Sequence, residues 1–434
     1  MAPTDSHDSH HLRPSTKVLT EGFDPRLSVG SARPAVFRSS TYVFSSPEAA
    51  ERAFDLSAGR ARAAEGEAVD LIYSRFNHPN AEILEDQVVA LEEGATAALA
   101  FNCGMAAIMT ALLTFLRPGQ SVVYTVPIYG GTQHFVQDYL AKWGVRGVGV
   151  HSGQTEQLDH VISTAENLAV VLLETPANPT LVMTDIRRAC AAAAARKLAP
   201  RDSQIPGESR SLTESRPIVM VDNTLLGPAF QHPLTLGADL VVYSGTKYLS
   251  GFSDMLAGIL LAKDPELIRR VRPTRGLFGS ILQPDECWML GGRLPTVRLR
   301  MSRASKNGQR IAEALARNPK IKRVIYPTLF TDADQRRIYE KQCDFPGAMF
   351  SLDFTGGKPA AFDFLRHLRI ARNAVSLGGV ETLACHPKTT THSGFTEEEF
   401  RQAGVTDGLV RVSVGIEDWR DLLADFDQAL AAVL

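Results

Sequence analysis

Asp239-Leu-Val-Val-Tyr-Ser-Gly-Thr-Lys-Tyr-Leu-Ser-Gly-Phe-Ser253 decides how this chain is read. Leu240, Val241 and Val242 predict a buried strand, which runs into Ser244, Thr246 and Lys247. Glycines at 245 and 251 let the backbone turn there. Two hydroxyls beside one lysine, at the mouth of a buried strand, can hold a phosphate and leave an amine free to form an imine. A lone Ser-x-Thr-Lys is a weak sign, because most lysines sit on a solvated face. Its weight depends on what the rest of the chain supplies.

Upstream, similar apolar runs fall at Ala97–Phe101, Ser121–Tyr124, Ala169–Leu173 and Ile218–Val221. Between them, residue spacing predicts helices over Ala81–Glu93, Met105–Phe115, Gly131–Trp143 and Ile186–Lys197. Strands buried on both faces and separated by helices imply a doubly wound α/β domain with a mainly parallel sheet. Downstream, helices are expected over Val297–Ala316, Pro359–Leu368 and Ile416–Leu434, with strands at Ile321–Tyr326 and Ala348–Phe354. That pattern reads as a smaller α+β C-terminal domain. Residues 30 to 75 alternate turns with short extended pieces (Pro34–Phe37, Ser40–Phe44) and a charged loop from Ala58 to Val69, an arm more than a core. The expected division is a tail and arm over 1–77, a large domain over 78–292 and a small domain over 293–434. Pro200–Ser215, polar and rich in Ser and Pro, is expected to be a surface insertion. No internal repeat is visible.

With 434 residues, 44% of them apolar, the chain can bury a large core. A formal net charge of −2 argues against nucleic-acid or membrane-surface partners. Apolar runs such as Ala257–Ala262 are too short to span a bilayer, and the polar, His-rich start lacks a signal-type apolar segment. A cytoplasmic protein is the expectation. Five cysteines (Cys103, Cys190, Cys287, Cys343, Cys385), odd in number and widely spaced, fit reduced thiols better than a disulfide or zinc scaffold. His7, His10 and His11 offer no more than adventitious metal binding, and no metal site is expected.

Ligands of open α/β sheets gather beyond the carboxyl ends of the strands, where the notable residues of this sequence fall. After Phe101 come Asn102, Cys103, Gly104 and Met105 at the start of a predicted helix, an anion seat if its N–H groups are free and otherwise a tight turn. Asp222 follows a buried strand, where an isolated charge is expensive; a protonated pyridine nitrogen would satisfy it, although an Asp capping a turn is also common. Asn178 could bond a ring oxygen or simply form an Asn-Pro turn, and Tyr129 could stack on a planar ring or pack at a rim. Together with Lys247, this set matches what pyridoxal 5′-phosphate (PLP) requires.

The chain resembles the Cys/Met-metabolism family of PLP enzymes, which includes cystathionine γ-synthases and β/γ-lyases, methionine γ-lyases and homoserine-ester sulfhydrylases. The likeness runs from about Gly30 to the C-terminus and rests on ordered motifs. Besides the lysine segment these are Tyr73-Ser-Arg75-Phe-Asn-His-Pro79, Cys103-Gly-Met105, Tyr129-Gly-Gly-Thr132, Glu174-Thr-Pro-Ala-Asn-Pro179 and Val221-Asp-Asn-Thr224. Ser376–Leu383, His386-Pro387, Thr391-His392 and Val410–Asp418 complete it in the C-terminal third.

The resemblance implies a fold-type-I PLP enzyme, like the aspartate aminotransferases in architecture. It implies that Lys247 carries PLP as an imine and then shuttles protons. Asp222 would pair with the pyridine nitrogen, and Tyr129 would stack on the ring and act as acid toward the leaving group. Gly104, Met105, Ser244 and Thr246 would bind the phosphate, with Tyr73 and Arg75 reaching it from a neighbouring subunit. Arg411 would clamp the substrate carboxylate beside Ser376 and Asn178. A homodimer with shared sites, commonly paired into a homotetramer, follows from the resemblance too.

Several positions depart from the family pattern: Cys103 for a usual Ser, Gly245 for a common Ala, and Phe252 for His or Gln. Tyr243 stands where His is frequent, Gly131 where many methionine γ-lyases carry Cys, and Val375 where cystathionine-handling members tend to have Glu. The expected activity is γ-elimination from methionine or a related γ-substituted amino acid by a carbon–sulfur lyase. The alternative is γ-replacement on an O-acyl-homoserine, forming cystathionine or homocysteine. An aminotransferase of the same fold and a non-enzymatic PLP-fold protein are the further readings.

Overall fold

The computed structural model describes residues 12–57, 60–64, 67, 70–196 and 216–433; His7, His10, His11 and the 200–215 interval lie outside them. Seven strands form one sheet: β1 (Ala97–Phe101), β2 (Ser121–Val126), β3 (Arg146–His151), β4 (Leu168–Glu174), β5 (Ile218–Asp222), β6 (Leu240–Ser244) and β7 (Gly258–Ala262). Their spatial order is β1-β7-β6-β5-β4-β2-β3. β3, β2, β4, β5 and β6 pair in parallel, while β7 runs antiparallel between β6 and β1.

Every residue of β4, β5 and β7 is buried, as expected for strands covered on both faces. One face packs Val122, Leu172 and Leu260 against the helices Gly104–Phe115 and Pro265–Phe278. The other packs Val171 and Val219 against Thr155–Thr164 and Ile186–Ala195. The predicted runs are strands, with ends displaced by no more than two residues. β3 and β7 are additions. β3 carries two glycines and lies at one edge of the sheet, so it has little apolar signal; β7 is a buried apolar run of the same kind as β4 and β5, part of the Ala257–Ala262 run read above only for its length. The helix expected over Gly131–Trp143 is an α-turn (Gly130–His134), a π-helical segment (Phe135–Leu140) and a 3₁₀ turn (Ala141–Trp143), which a sequence period does not separate.

A second sheet holds β8 (Ile321–Ile325), β9 (Met349–Phe354), β10 (Arg372–Asn373), β11 (Leu383–Cys385) and β12 (Leu409–Ser413) in the order β10-β11-β12-β9-β8. It is antiparallel except for β10 with β11. Helices Val297–Leu315, Gly357–His367 and Trp419–Ala432 supply Ile311, Phe364 and Phe426 to its core. Residues 31–44 form no strand or helix, and Val43 is almost fully exposed.

One buried ion pair helps position the large sheet. Arg275, with no exposed surface, bonds Glu85 at 2.7 Å and the carbonyl of Ala100 at 2.8 Å. Glu85 in turn accepts the Ala100 N–H at 3.0 Å. Both charges therefore have partners, the condition under which such a pair is tolerated, and both hold β1 just before it opens into the 102–105 turn.

Candidate active site

β6 delivers Lys247 through a turn in which the Lys247 N–H bonds Ser244 O (3.1 Å) and Lys247 O accepts the Gly251 N–H (2.8 Å). The turn points the amine into a cavity of about 420 Å³ at the carboxyl ends of β1, β2, β4, β5 and β6. Its Nζ donates to Ser376 Oγ at 2.8 Å. Burial, then the nearby Arg411 charge, pushes the amine below its usual range, which favours the nucleophilic neutral form.

Asp222 ends β5 and is 9% exposed; the Thr224 N–H bonds its Oδ1 at 3.0 Å. No cation among the described residues offsets its desolvation, and burial raises its pKa. Thr224 Oγ1 accepts the Ser244 N–H at 2.9 Å and ties the ends of β5 and β6 together.

The helix Gly104–Phe115 begins at the cavity with Cys103 as its cap; Sγ accepts the Ala106 N–H at 3.4 Å. A Cβ on Gly104 would lie 3.0 Å from Ser244 Cα, so only glycine lets the helix start come this near to β6. Free N–H groups at such a start, with Ser244 and Thr246 opposite, suit an anion. Thr246 Oγ1 also accepts the Ala257 N–H at 3.0 Å, which fixes its rotamer.

Tyr129, about half exposed, stands at the mouth. A Cβ on Gly131 would sit 2.8 Å from Tyr129 Cε1 and 3.2 Å from Met105 Sδ, so the ring lies directly over that glycine. Arg411 comes from β12 in the second sheet and is 3% exposed. Its Nη1 donates to Asn178 Oδ1 (3.2 Å) and its Nη2 to Ser376 O (2.7 Å), while its buried Nε has no partner among the described residues. Asn178 O meets His392 Nε2 at 3.1 Å. Burial, then Arg411, pushes His392 down to about 4, so its ring is neutral at neutral pH.

The cavity thus gathers Gly104, Met105, Tyr129, Asn178, Asp222, Ser244, Thr246, Lys247, Ser376 and Arg411. Tyr73 and Arg75 do not line it. Tyr73 bridges to Thr41, and Arg75 bonds Gly276 O with its guanidinium 4.8 Å from the Phe76 ring centroid. A wider cleft of about 880 Å³ shares Lys247, Val375 and Ser376 with the cavity and carries Asp254, Glu286 and Glu381. Phe252 lies outside both, under the guanidinium of Arg293 at 4.9 Å. Tyr243 points into the core, where its hydroxyl donates to Glu92 at 2.5 Å.

Among the polar lining residues, Glu174, Thr224 and Thr391 carried no assignment from sequence. Glu174 is the register partner of Asp222, and its position at a strand's carboxyl end, four residues before Asn178, was the available signal.

The donor set fits PLP. A glycine-lined helix start facing Ser244 and Thr246, a buried amine and a buried carboxyl with no cation beside it among the described residues lie within one cavity, and the Arg411 Nε has no partner among those residues.

A family model described as "Cys/Met metabolism PLP-dependent enzyme" matches residues 15–431. The chain is 36% identical over 406 residues to an L-methionine gamma-lyase of Fusobacterium nucleatum subsp. polymorphum, covering 93% of this chain and 94% of that protein. It is 37% identical over 361 residues to the cystathionine beta-lyase MetC of Bacillus subtilis (strain 168), covering 83% and 86%. The crystal structure of metB from Corynebacterium glutamicum superposes with a TM-score of 0.83 at 31% identity, covering 98% of this chain and 99% of that one.

Proposed function

The chain belongs to the Cys/Met-metabolism family of PLP-dependent enzymes, and from that premise we propose γ-elimination from methionine or a close relative. It is a PLP-dependent carbon–sulfur lyase of sulfur amino-acid metabolism, with the fold-type-I architecture of its family. With methionine and water as reactants, the products are methanethiol, 2-oxobutyrate and ammonia.

The observation that carries the choice of substrate is Val375, about half exposed at the junction of cavity and cleft. An apolar side chain there suits a methyl thioether and offers nothing to a distal ammonium.

When bound, PLP supplies an electron sink that makes the substrate Cα–H acidic. Arg411 binds the substrate α-carboxylate in its fork, backed by Asn178 and the Ser376 carbonyl. Lys247, its amine pushed below the usual lysine range by burial, takes the Cα proton at Nζ and returns it. Asp222 provides the negative charge that keeps a ring nitrogen protonated. Tyr129 hands a proton to the departing sulfur. Gly104, Met105, Ser244 and Thr246 hold the phosphate.

Tyr73 and Arg75 lie outside their own chain's cavity, which supports a dimer in which each arm completes its neighbour's site, paired further into a tetramer. The cytoplasm is the proposed location, supported by five cysteines that form no disulfide.

A second reading, γ-replacement on an O-acyl-homoserine, is favoured by two observations. Glu286 and Glu381 in the outer cleft would face a distal ammonium such as that of cystathionine. Gly131 also leaves the Tyr129 ring room that a larger side chain would take. The PLP-loaded protein should release 2-oxobutyrate from methionine. No release, together with product from O-acetyl-homoserine plus cysteine or sulfide, selects the second reading.

A further inference from the structure

The proposed chemistry uses one carboxylate of the cavity, and the cavity holds two. Glu174 ends β4 and Asp222 ends β5, and the two are register partners on adjacent parallel strands. Paired positions project to the same face, and neighbouring strands lie about 4.8 Å apart. Glu174 is 5% exposed and Asp222 9%. Two negative charges that close, with so little water, repel strongly.

Nothing among the described residues neutralises the pair. The two cations of the cavity are engaged elsewhere, Lys247 with Ser376 and Arg411 with Asn178 and Ser376. A ring cation over Asp222 would balance one charge and leave the other. Glu174 is also tied in place: its Oε2 accepts the Tyr129 N–H at 2.7 Å, and its own N–H bonds Thr125 Oγ1 at 2.9 Å. It therefore joins the end of β4 to the loop that leaves β2 and carries Tyr129.

We propose that Glu174 is a positioning residue with a resident proton: uncharged, it fixes the Tyr129 backbone and leaves Asp222 as the cavity's single carboxylate charge. The remaining titratable groups of the cavity are Cys103, Tyr129, Lys247 and Arg411, and His392 behind Asn178 is neutral. Burial, then the Asp222 charge, pushes the Glu174 carboxyl up to about 8, in the same sense as the geometry. A neutral side chain with one acceptor is all that Tyr129 needs from this position.

The inference rests on the PLP reading of the site, but its first test needs no turnover. Infrared difference spectra of the cofactor-free protein at neutral pH, parent minus Glu174→Gln, should show one lost protonated-carboxyl band beside the one that buried Glu92 keeps in both, and Asp222→Asn should not lose that Glu174 band. In the loaded enzyme, Glu174→Gln should stay within about threefold of the parent in kcat/KM, and Glu174→Ala should fall by about tenfold or more, the scale of one lost hydrogen bond to a buried group. A protonated-carboxyl signal that is undiminished in Glu174→Gln, or a Gln variant as impaired as the Ala variant, overturns the proposal. A parent that binds no PLP defeats the reading of the site while leaving the infrared result standing.

Discussion

Ser376 has a φ of +94°, a region in which an L side chain is strained, and it holds two parts of the site at once. Its Oγ receives the Lys247 amine and its carbonyl receives the Arg411 guanidinium. Ser376→Gly and Ser376→Ala both remove the contact to Lys247, but only glycine relieves the backbone. The Gly variant should therefore unfold later than the Ala variant, by about 1 kcal/mol, and both should turn over more slowly than the parent; thermal melts and rate assays check this. At Lys247 the consequence is larger. Lys247→Ala removes the imine-forming amine and the proton carrier together. Borohydride reduction should then leave no pyridoxyl adduct, and turnover should drop by roughly a thousandfold or more. Full activity in that variant would remove the basis of the proposed reaction.

Two elements set how the site responds to mutation and to pH. The start of the helix Gly104–Phe115, the proposed phosphate seat, comes close to Ser244 because Gly104 has no Cβ. In Gly104→Ala the new Cβ meets backbone at 3.0 Å, so the helix start must withdraw. PLP affinity should fall by about tenfold while the melting temperature of the cofactor-free protein changes little, an order of magnitude set by one disturbed charge-assisted contact. At the end of the helix Pro79–Leu91, Glu92 is buried and accepts the Tyr243 hydroxyl. Burial pushes its carboxyl up to about 8, against the pull of that hydrogen bond. A raised carboxyl keeps in the folded state a proton that the unfolded chain releases near 4.5. Its contribution to stability is thus complete below about 4.5, declines at about 1.4 kcal/mol per pH unit as the pH rises toward 8, and then levels off. Glu92→Gln keeps an acceptor for Tyr243 and removes the titration. Its melting temperature should fall less between pH 5 and pH 8 than the parent's, by roughly the amount this linkage predicts; parallel curves would refute the assignment.

On the scale of the whole molecule, the site is an assembly of two sheets. Lys247, Asp222 and Ser244 come from the parallel one, Arg411 and Ser376 from the antiparallel one and the loop beside it. The proposed dimer adds a third source, the arm carrying Tyr73 and Arg75. Mixing Arg75→Ala, expected to retain PLP poorly, with inactive Lys247→Ala should then give more activity than either variant alone. The mixed dimer keeps one site with Lys247 from one subunit and an intact arm from the other. Activity that never rises above either variant alone would argue against shared sites.

Much of this was legible in the residues themselves. The strands that carry Asp222 and Lys247 are continuous apolar runs, and a sheet buried on both faces admits no other pattern. The candidate groups follow those runs directly: strand ends marked Asp222, Asn178, Gly104 and Lys247 as candidates, each with a purely structural alternative, and the fold gathers them in one cavity. Arg411 and Ser376 were reached by resemblance to a family, since nothing local in β12 marks an arginine as aimed at a distant cavity. Pairing was the part that only the tertiary structure decided. That β7 runs antiparallel between β1 and β6, that Glu174 stands beside Asp222, and that the Tyr243 hydroxyl donates to Glu92 all depend on contacts between residues far apart in the chain. A strand's own residues specify which of its faces are buried; they do not specify which neighbour lies across the hydrogen bonds, and here that neighbour places a second carboxyl beside Asp222.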